Sequence, residues 1–152
     1  YRVFGWRAGL ITQLTDIFKG GLAAYLPLLF QAELPAEMAP DSQALLAAQL
    51  GTGVMAVIGH VYTMFANFKG GKGVNTLLGV MLVVAPEASL VCVAVFVLVL
   101  LLGKMVSLAS MSATAAFPLY FLVKWLALGH TPNYLLLGIG LLLAAGIIYT
   151  HR

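Results

Sequence analysis

Long apolar stretches alternate with short polar clusters along the whole chain, at intervals that mark out membrane spans. Gly9 to Phe30 and Gln43 to Phe65 each run about 20 residues, the length a helix needs to cross a hydrocarbon core of ~30 Å. Between them, Gln31 to Ser42 holds Pro35, Pro40, Glu33, Glu37 and Asp41 and reads as a polar loop. Val74 to Ala85 and Ala88 to Leu102 are apolar but short, and Pro86-Glu87 separates them. Met105 to Leu126 is a further span, with Ser107, Ser110, Ser112 and Thr114 in its first half. After a short loop from Ala127 to Asn133, Tyr134 to Thr150 is the last, with Gly138, Gly140 and Gly146 suited to close helix packing. The expected fold is an all-α integral membrane protein with about six transmembrane helices in a single domain, 1–152. Its spans lie at about 9–30, 43–65, 74–85, 88–102, 105–126 and 134–150.

The two short segments admit two readings, a helical hairpin or one long kinked span, and the placement of charge favours the hairpin. A carboxylate such as Glu87 is costly at the bilayer midplane. With six crossings, Arg2, Arg7, Lys69, Lys72, Lys104 and Arg152 fall on one side, and Glu33, Glu37, Asp41 and Glu87 on the other. Only Lys124 lies toward the acidic side, near a helix end from which it can snorkel. Merging the two segments would move Lys104 away from the side of the Lys69 loop. The basic side is then cytoplasmic by the positive-inside rule. Asp16 and Lys19 lie inside the first span, three positions apart, on one helix face where they can pair.

Composition confirms the membrane class and excludes others. Only 9% of residues are charged, against about 25% in soluble domains. The net charge of +3 is small, so it does not argue for nucleic acid. The single cysteine, Cys92, lies in an apolar run, cannot form an internal disulfide and reads as a buried inert thiol. No His/Cys/Asp/Glu cluster has metal-ligand spacing and no Gly-x-Ser-x-Gly elbow occurs, so neither a metal nor an organic cofactor is expected. A start at Tyr1 and an end at His151-Arg152 directly after a span read as a piece of a longer protein.

The candidate chemistry centres on Phe68-Lys69-Gly70-Gly71-Lys72-Gly73, two lysines and three glycines between apolar segments. Lysine is costly in the bilayer centre, which places this run at the membrane surface. Glycines let the backbone turn tightly, successive amides form an anion-binding concavity, and lysines add charge. The reading is a phosphate or carboxylate site; the competing one is a basic turn that only fixes topology. Asn75 and Thr76 open the next helix, whose N-terminus favours anions. The loop is not a Walker A motif, because its spacing is absent. His60 precedes it, and Lys104, Ser107, Ser110 and His151 reach the same side in the six-crossing topology. Taken singly, each has a simpler role: His60 as a hydrogen-bonded packing residue, the serines bonded back to their own helix, Lys104 as a topology charge. His130 reads as a loop residue on the opposite face.

Gly59-His60 through Phe68-Lys69-Gly70-Gly71-Lys72-Gly73-Val74-Asn75-Thr76 resembles the central motif of the bacterial acyl-phosphate:glycerol-3-phosphate acyltransferases, the PlsY family, roughly H-x-F-P-V-F-x-x-F-K-G-G-K-G-V-A-T. Arg2-Val3-Phe4-Gly5 resembles the tail of the family's first motif, and Asp16-Ile17-Phe18-Lys19-Gly20 its D-I-x-K-G helix. Lys104-Met105-Val106-Ser107-Leu108-Ala109-Ser110 resembles R-Y-V-S-L-x-S, and His151-Arg152 the start of H-R-E-N. The matches cover essentially the whole chain in family order. Tyr62-Thr63-Met64 departs from F-P-V, and Lys104 replaces an arginine, keeping the charge but losing the bidentate fork. The first family helix, its G-S-G-N-x-G-A-T-N loop and the terminal Glu-Asn have no counterpart, so the chain alone is expected to lack activity.

The resemblance implies a seven-helix enzyme of the bacterial inner membrane, of which these would be the last six helices, with a cytoplasmic active face. It implies transfer of a fatty acyl group from acyl phosphate to the sn-1 hydroxyl of glycerol 3-phosphate, giving lysophosphatidic acid for phospholipid synthesis. The implied partners are those two substrates and the bilayer, and a monomer is expected. Phosphate contacts are then expected from Arg2, Lys69, Gly70, Gly71, Lys72, Gly73 and Lys104, with Asn75, Thr76, Ser107 and Ser110 as hydrogen-bond partners. Lys72, His151 and, less centrally, His60 are the candidates to act on the reacting groups. A substrate phosphate oxygen is the alternative acceptor for the hydroxyl proton. The rival classes are a small-anion transporter or channel and a noncatalytic membrane scaffold. A transporter should show an inverted repeat and ionisable residues along a path; no repeat is evident.

Overall fold

The computed structural model describes residues 5–30, 42–63, 70–71, 73–129 and 133–150. Among them are six α-helices: α1 (Gly5–Leu29), α2 (Gln43–Val61), α3 (Val74–Val84), α4 (Pro86–Gly103), α5 (Val106–Leu128) and α6 (Tyr134–Thr150). The chain forms two compact units, Tyr1–Pro86 and Glu87–Arg152. Arg2, Lys69, Lys72, His151 and Arg152 lie outside the described residues, as does the acidic loop 31–41.

In the first unit α1 packs against both α2 and α3, which also touch each other. The α1–α3 contact is made backbone to backbone. A Cβ on Gly20 would collide with the Thr76 carbonyl, and one on Gly79 would collide with the Ile17 carbonyl. Gly21 faces the Gly79 carbonyl oxygen, 3.3 Å from where its own Cβ would be. Without a hydrophobic drive between helices in lipid, such glycine faces gain association through dispersion at close range. On α2, Gly53 opens a notch for the Val80 side chain, and Leu45 and Leu50 are buried nearby in the same helix.

Local signals set the helix ends. Ser42 caps α2, its Oγ accepting from the Leu45 amide at 3.0 Å. Gly73, at φ +74, begins α3 in the left-handed region that glycine adopts without penalty. α3 stops at Val84, and α4 starts on Pro86, whose missing N–H is harmless at a first helical position. Ala85 between them is extended at φ −144, as the residue before a proline prefers. α4 therefore begins on the proline rather than beyond Pro86-Glu87, and its 18 residues exceed the 88–102 stretch expected from hydropathy.

In the second unit α5 packs on α6, with Phe117 and Pro118 lying over Gly140 and with Ala109, Phe117 and Leu136 buried. Glu87 at the start of α4 accepts from Tyr120 and from Lys124 (2.8 Å) on α5. Glu87 and Lys124 both stand toward the acidic side in the charge pattern, which did not pair them. Gly129, at φ +66, closes α5, and the Asn133 side chain caps α6. Lys104 also adopts a left-handed φ of +49, unusual for a residue with a Cβ.

α2, α4 and Val106–Ala127 of α5 are long and apolar enough to cross a membrane. Large side chains such as Trp6, Leu10, Leu14, Phe18 and Leu22 on α1 and Leu98, Leu101 and Leu102 on α4 face outward, as a lipid solvent permits.

Gly79→Ala is expected to destabilise the protein by about 1–3 kcal/mol, because the methyl group meets rigid backbone. Gly51→Ala, with open space around it, should stabilise by roughly 0.5–1 kcal/mol through helix propensity. Unfolding of both variants in mixed micelles checks the contrast; equal effects would remove the α1–α3 contact from the account.

Candidate active site

Three polar side chains converge where α1 passes the last turn of α2. Asp16 and Lys19 are one turn apart on α1 and pair at 2.5 Å. His60 comes from the end of α2: its Nδ1 lies 2.6 Å from Lys19 Nζ and 3.4 Å from Asp16 Oδ1. The Asp16 and His60 side chains are 15% and 16% exposed, whereas Lys19 is 39% exposed and keeps an open side. Asp16 balances the lysine charge, which makes a partly buried ammonium tolerable here.

The glycine turn lies directly on this cluster. The Gly70 amide donates to the Val61 carbonyl at 3.0 Å, satisfying one of the orphan acceptors at the end of α2. A Cβ on Gly70 would strike the His60 and Val61 carbonyls, and one on Gly71 would strike His60 Nε2. Close approach to backbone thus requires glycine at position 70, whereas a Cβ at position 71 would have to displace the imidazole. Between turn and cluster is a cavity of about 310 Å³ lined by Lys19, Ala56, Gly59, His60, Thr63, Gly70 and Gly71. Ala56, Gly59 and His60 share one face of α2 and Thr63 follows just past its end, and the two small residues among them leave the room. An ammonium, an imidazole and a glycine backbone around a small opening suit an anionic oxygen.

Several expected site residues are placed differently. The Gly70 amide is engaged with Val61, so this turn offers Gly71 but not Gly70 as a free donor candidate. Thr76 is fully buried where α3 meets Gly20, and its hydroxyl has no partner among the described residues, so it packs the helix pair rather than facing the cavity. Gly73 is buried against Val57 and Val61, and Asn75 is half-buried at the start of α3. Ser110 donates to the carbonyl of Val106 at 2.9 Å, the back-bonded state, while Ser107 and Lys104 are exposed; all three belong to the second unit. Arg2, Lys69, Lys72 and His151 lie outside the described residues.

Sequence reasoning read Asp16 and Lys19 as a pair within one helix and left them out of the site. The signal was available, since an ionisable pair inside a span is a functional candidate by default. What the sequence could not show is that His60, 41 positions on from Lys19, completes the cluster.

All 152 residues match the family model described as glycerol-3-phosphate acyltransferase. The chain belongs to the glycerol-3-phosphate acyltransferase family. A glycerol-3-phosphate acyltransferase of Chlorobium limicola is 38% identical over 171 residues, spanning all of this chain and 72% of that one. The Chlorobaculum parvum protein of the same description is 41% identical over 169 residues with the same coverage. Among solved structures, the chain is similar to PlsY, an integral membrane glycerol 3-phosphate acyltransferase, in its glycerol 3-phosphate form, with a TM-score of 0.73, 33% identity, and 99% of this chain and 67% of that one covered. The lysophosphatidic acid form of PlsY matches equally, with 68% of its chain covered. The family assignment agrees with the motif resemblance and makes this chain a multi-pass membrane acyltransferase.

Gly71→Ala in this acyltransferase should displace the His60 imidazole and lower acyl transfer by roughly 10- to 100-fold. Activity measured on a folded, membrane-inserted variant checks this; a wild-type rate would show that the Gly71–His60 contact is immaterial.

Proposed function

We propose that the protein transfers a fatty acyl group from acyl phosphate to the sn-1 hydroxyl of glycerol 3-phosphate, releasing inorganic phosphate and lysophosphatidic acid. The observation that carries this reading is the cavity between the glycine turn and the Lys19–His60 cluster, in a chain of this family. PlsY in its glycerol 3-phosphate and lysophosphatidic acid forms supports the acceptor and the product.

The donor is already activated, so no covalent nucleophile from the protein is needed. The glycerol hydroxyl oxygen attacks the acyl carbonyl carbon, the carbon–oxygen bond to phosphate breaks, and the hydroxyl proton passes to a phosphate oxygen or to His151. The protein's work is to hold two anionic groups close together and to meet the developing oxyanion with preset donors. We assign phosphate binding to Lys69, Lys72 and the Gly71 and Gly73 amides, with Arg2 and Lys104 as further cations. Asn75, Ser107 and Ser110 supply hydrogen bonds, Ser110 after its hydroxyl turns from Val106. Gly70 and Thr76 act through packing. The acyl chain lies among the Leu- and Val-rich helices.

The same reading gives six crossings, with α3 and α4 as two of them, as the last six of a seven-helix protein. The basic loops face the cytoplasm at the bacterial inner membrane, and the protein works as a monomer. The charge pattern supports this orientation.

The test is transfer of labelled palmitoyl from palmitoyl phosphate to glycerol 3-phosphate by the full-length protein in proteoliposomes, with palmitoyl-CoA as control donor. Lysophosphatidic acid should form only from the acyl phosphate. Lys72→Ala should lower the rate by roughly 10²- to 10³-fold, as expected for loss of an electrostatic contact in the transition state. Lys104→Arg should retain activity, because it keeps the charge and adds a fork. Absence of product from folded, inserted protein would overturn the assignment and point to anion flux instead.

A further inference from the structure

The three-residue cluster beneath the glycine turn fixes where the His60 proton sits. Lysine ammonium is a donor with no acceptor capacity. Lys19 Nζ lies 2.6 Å from His60 Nδ1, so that ring nitrogen must offer its lone pair. The same ammonium donates to Asp16 Oδ1 at 2.5 Å. In the neutral ring the proton is therefore on Nε2, the tautomer being set by the bond made at the other nitrogen. Nε2 is the edge of the ring that meets Gly71 at the cavity.

Asp16 stands 3.4 Å from Nδ1, close enough to compete for it. A carboxylate beside Nδ1 would by itself draw the proton to that nitrogen and leave Nε2 bare as a base. Lys19, in contact with both at shorter distances, reverses this polarity.

We infer that Lys19 and Asp16 are positioning residues that hold His60 with its proton on Nε2, so that His60 presents a hydrogen-bond donor, not a base, to an anionic oxygen in the cavity under Gly70-Gly71. The donor role rests on the acyl-transfer reading only for the identity of that anion, a phosphate group of a substrate. Lys19 also lines the cavity, so its ammonium is a second candidate donor toward the same oxygen. This separates His60 from proton abstraction and leaves that task to His151 or to substrate phosphate.

The tautomer is read directly by ¹⁵N NMR of the histidine-labelled full-length protein in lipid, with His60→Gln identifying the His60 signals among those of the other histidines. In the wild type Nε2 should carry the proton and Nδ1 should not. Lys19→Met should move the proton to Nδ1, beside Asp16, and Lys19→Arg should restore the wild-type pattern. Titration with inorganic phosphate should shift the Nε2 resonance in the wild type. A proton on Nδ1 in the wild type overturns the inference, even if Lys19→Met fails to fold, and an Nε2 signal insensitive to phosphate overturns the donor role. Neither readout depends on acyl transfer, so failure of that reading is seen separately.

The kinetic arm compares two substitutions. Glutamine keeps an amide donor near the Nε2 position but cannot act as a base. His60→Gln should therefore exceed His60→Met by roughly 10- to 100-fold in kcat/KM for glycerol 3-phosphate, the range of one charge-assisted hydrogen bond. Equal losses would mean that His60 works as a base or only as packing, and the inference would fall.

Discussion

The first unit depends on the direct approach of two helix backbones. Gly20 on α1 and Gly79 on α3 each lie where any side chain would strike a carbonyl of the other helix. This contact aligns α1 with α3, and α2 closes on both by seating Val80 in the notch at Gly53. α1 thereby has two working faces: Ile17, Gly20 and Gly21 serve the packing with α3, while Asp16 and Lys19 on the adjoining face meet the end of α2. Packing and chemistry are coupled through the rotation of a single helix. A turn of α1 that relieved the glycine contact would also carry Lys19 away from His60.

The charged cluster meets a second constraint, the cost of ionised groups in a dry environment. Asp16 and Lys19 compensate each other, and His60 takes a second donor of the ammonium. The glycine turn completes the arrangement from above. Its Gly70 amide satisfies a carbonyl at the end of α2, where the helix has run out of partners, and this hydrogen bond holds Gly71 against the imidazole edge. One backbone hydrogen bond therefore finishes a helix and sets the roof of the cavity at the same time.

The second unit uses the same local rules with a different polar contact. Glu87, freed from the apolar interior by the proline start of α4, is held by Tyr120 and Lys124 on α5. The hydroxyl of Ser110 is returned to its own helix, so a serine that the motif brings forward as a substrate contact stands in a resting hydrogen bond.

By itself the sequence determined the class of the protein, the approximate runs of its helices, the break at Pro86, the basic glycine-rich motif and the family, because each is written in local composition or in a short contiguous motif. It also put Asp16 and Lys19 on one helix face, since a spacing of three is a local property. Only the tertiary structure decided which glycines are contact points, that Thr76 is buried against Gly20, that the Gly70 amide caps α2, and that His60 joins a pair 41 positions away from it in the case of Lys19. Those facts depend on how α1, α2 and α3 rotate and approach one another. In a chain whose helices are apolar nearly all round, hydrophobic periodicity does not say which face meets which; steric fit between backbones does.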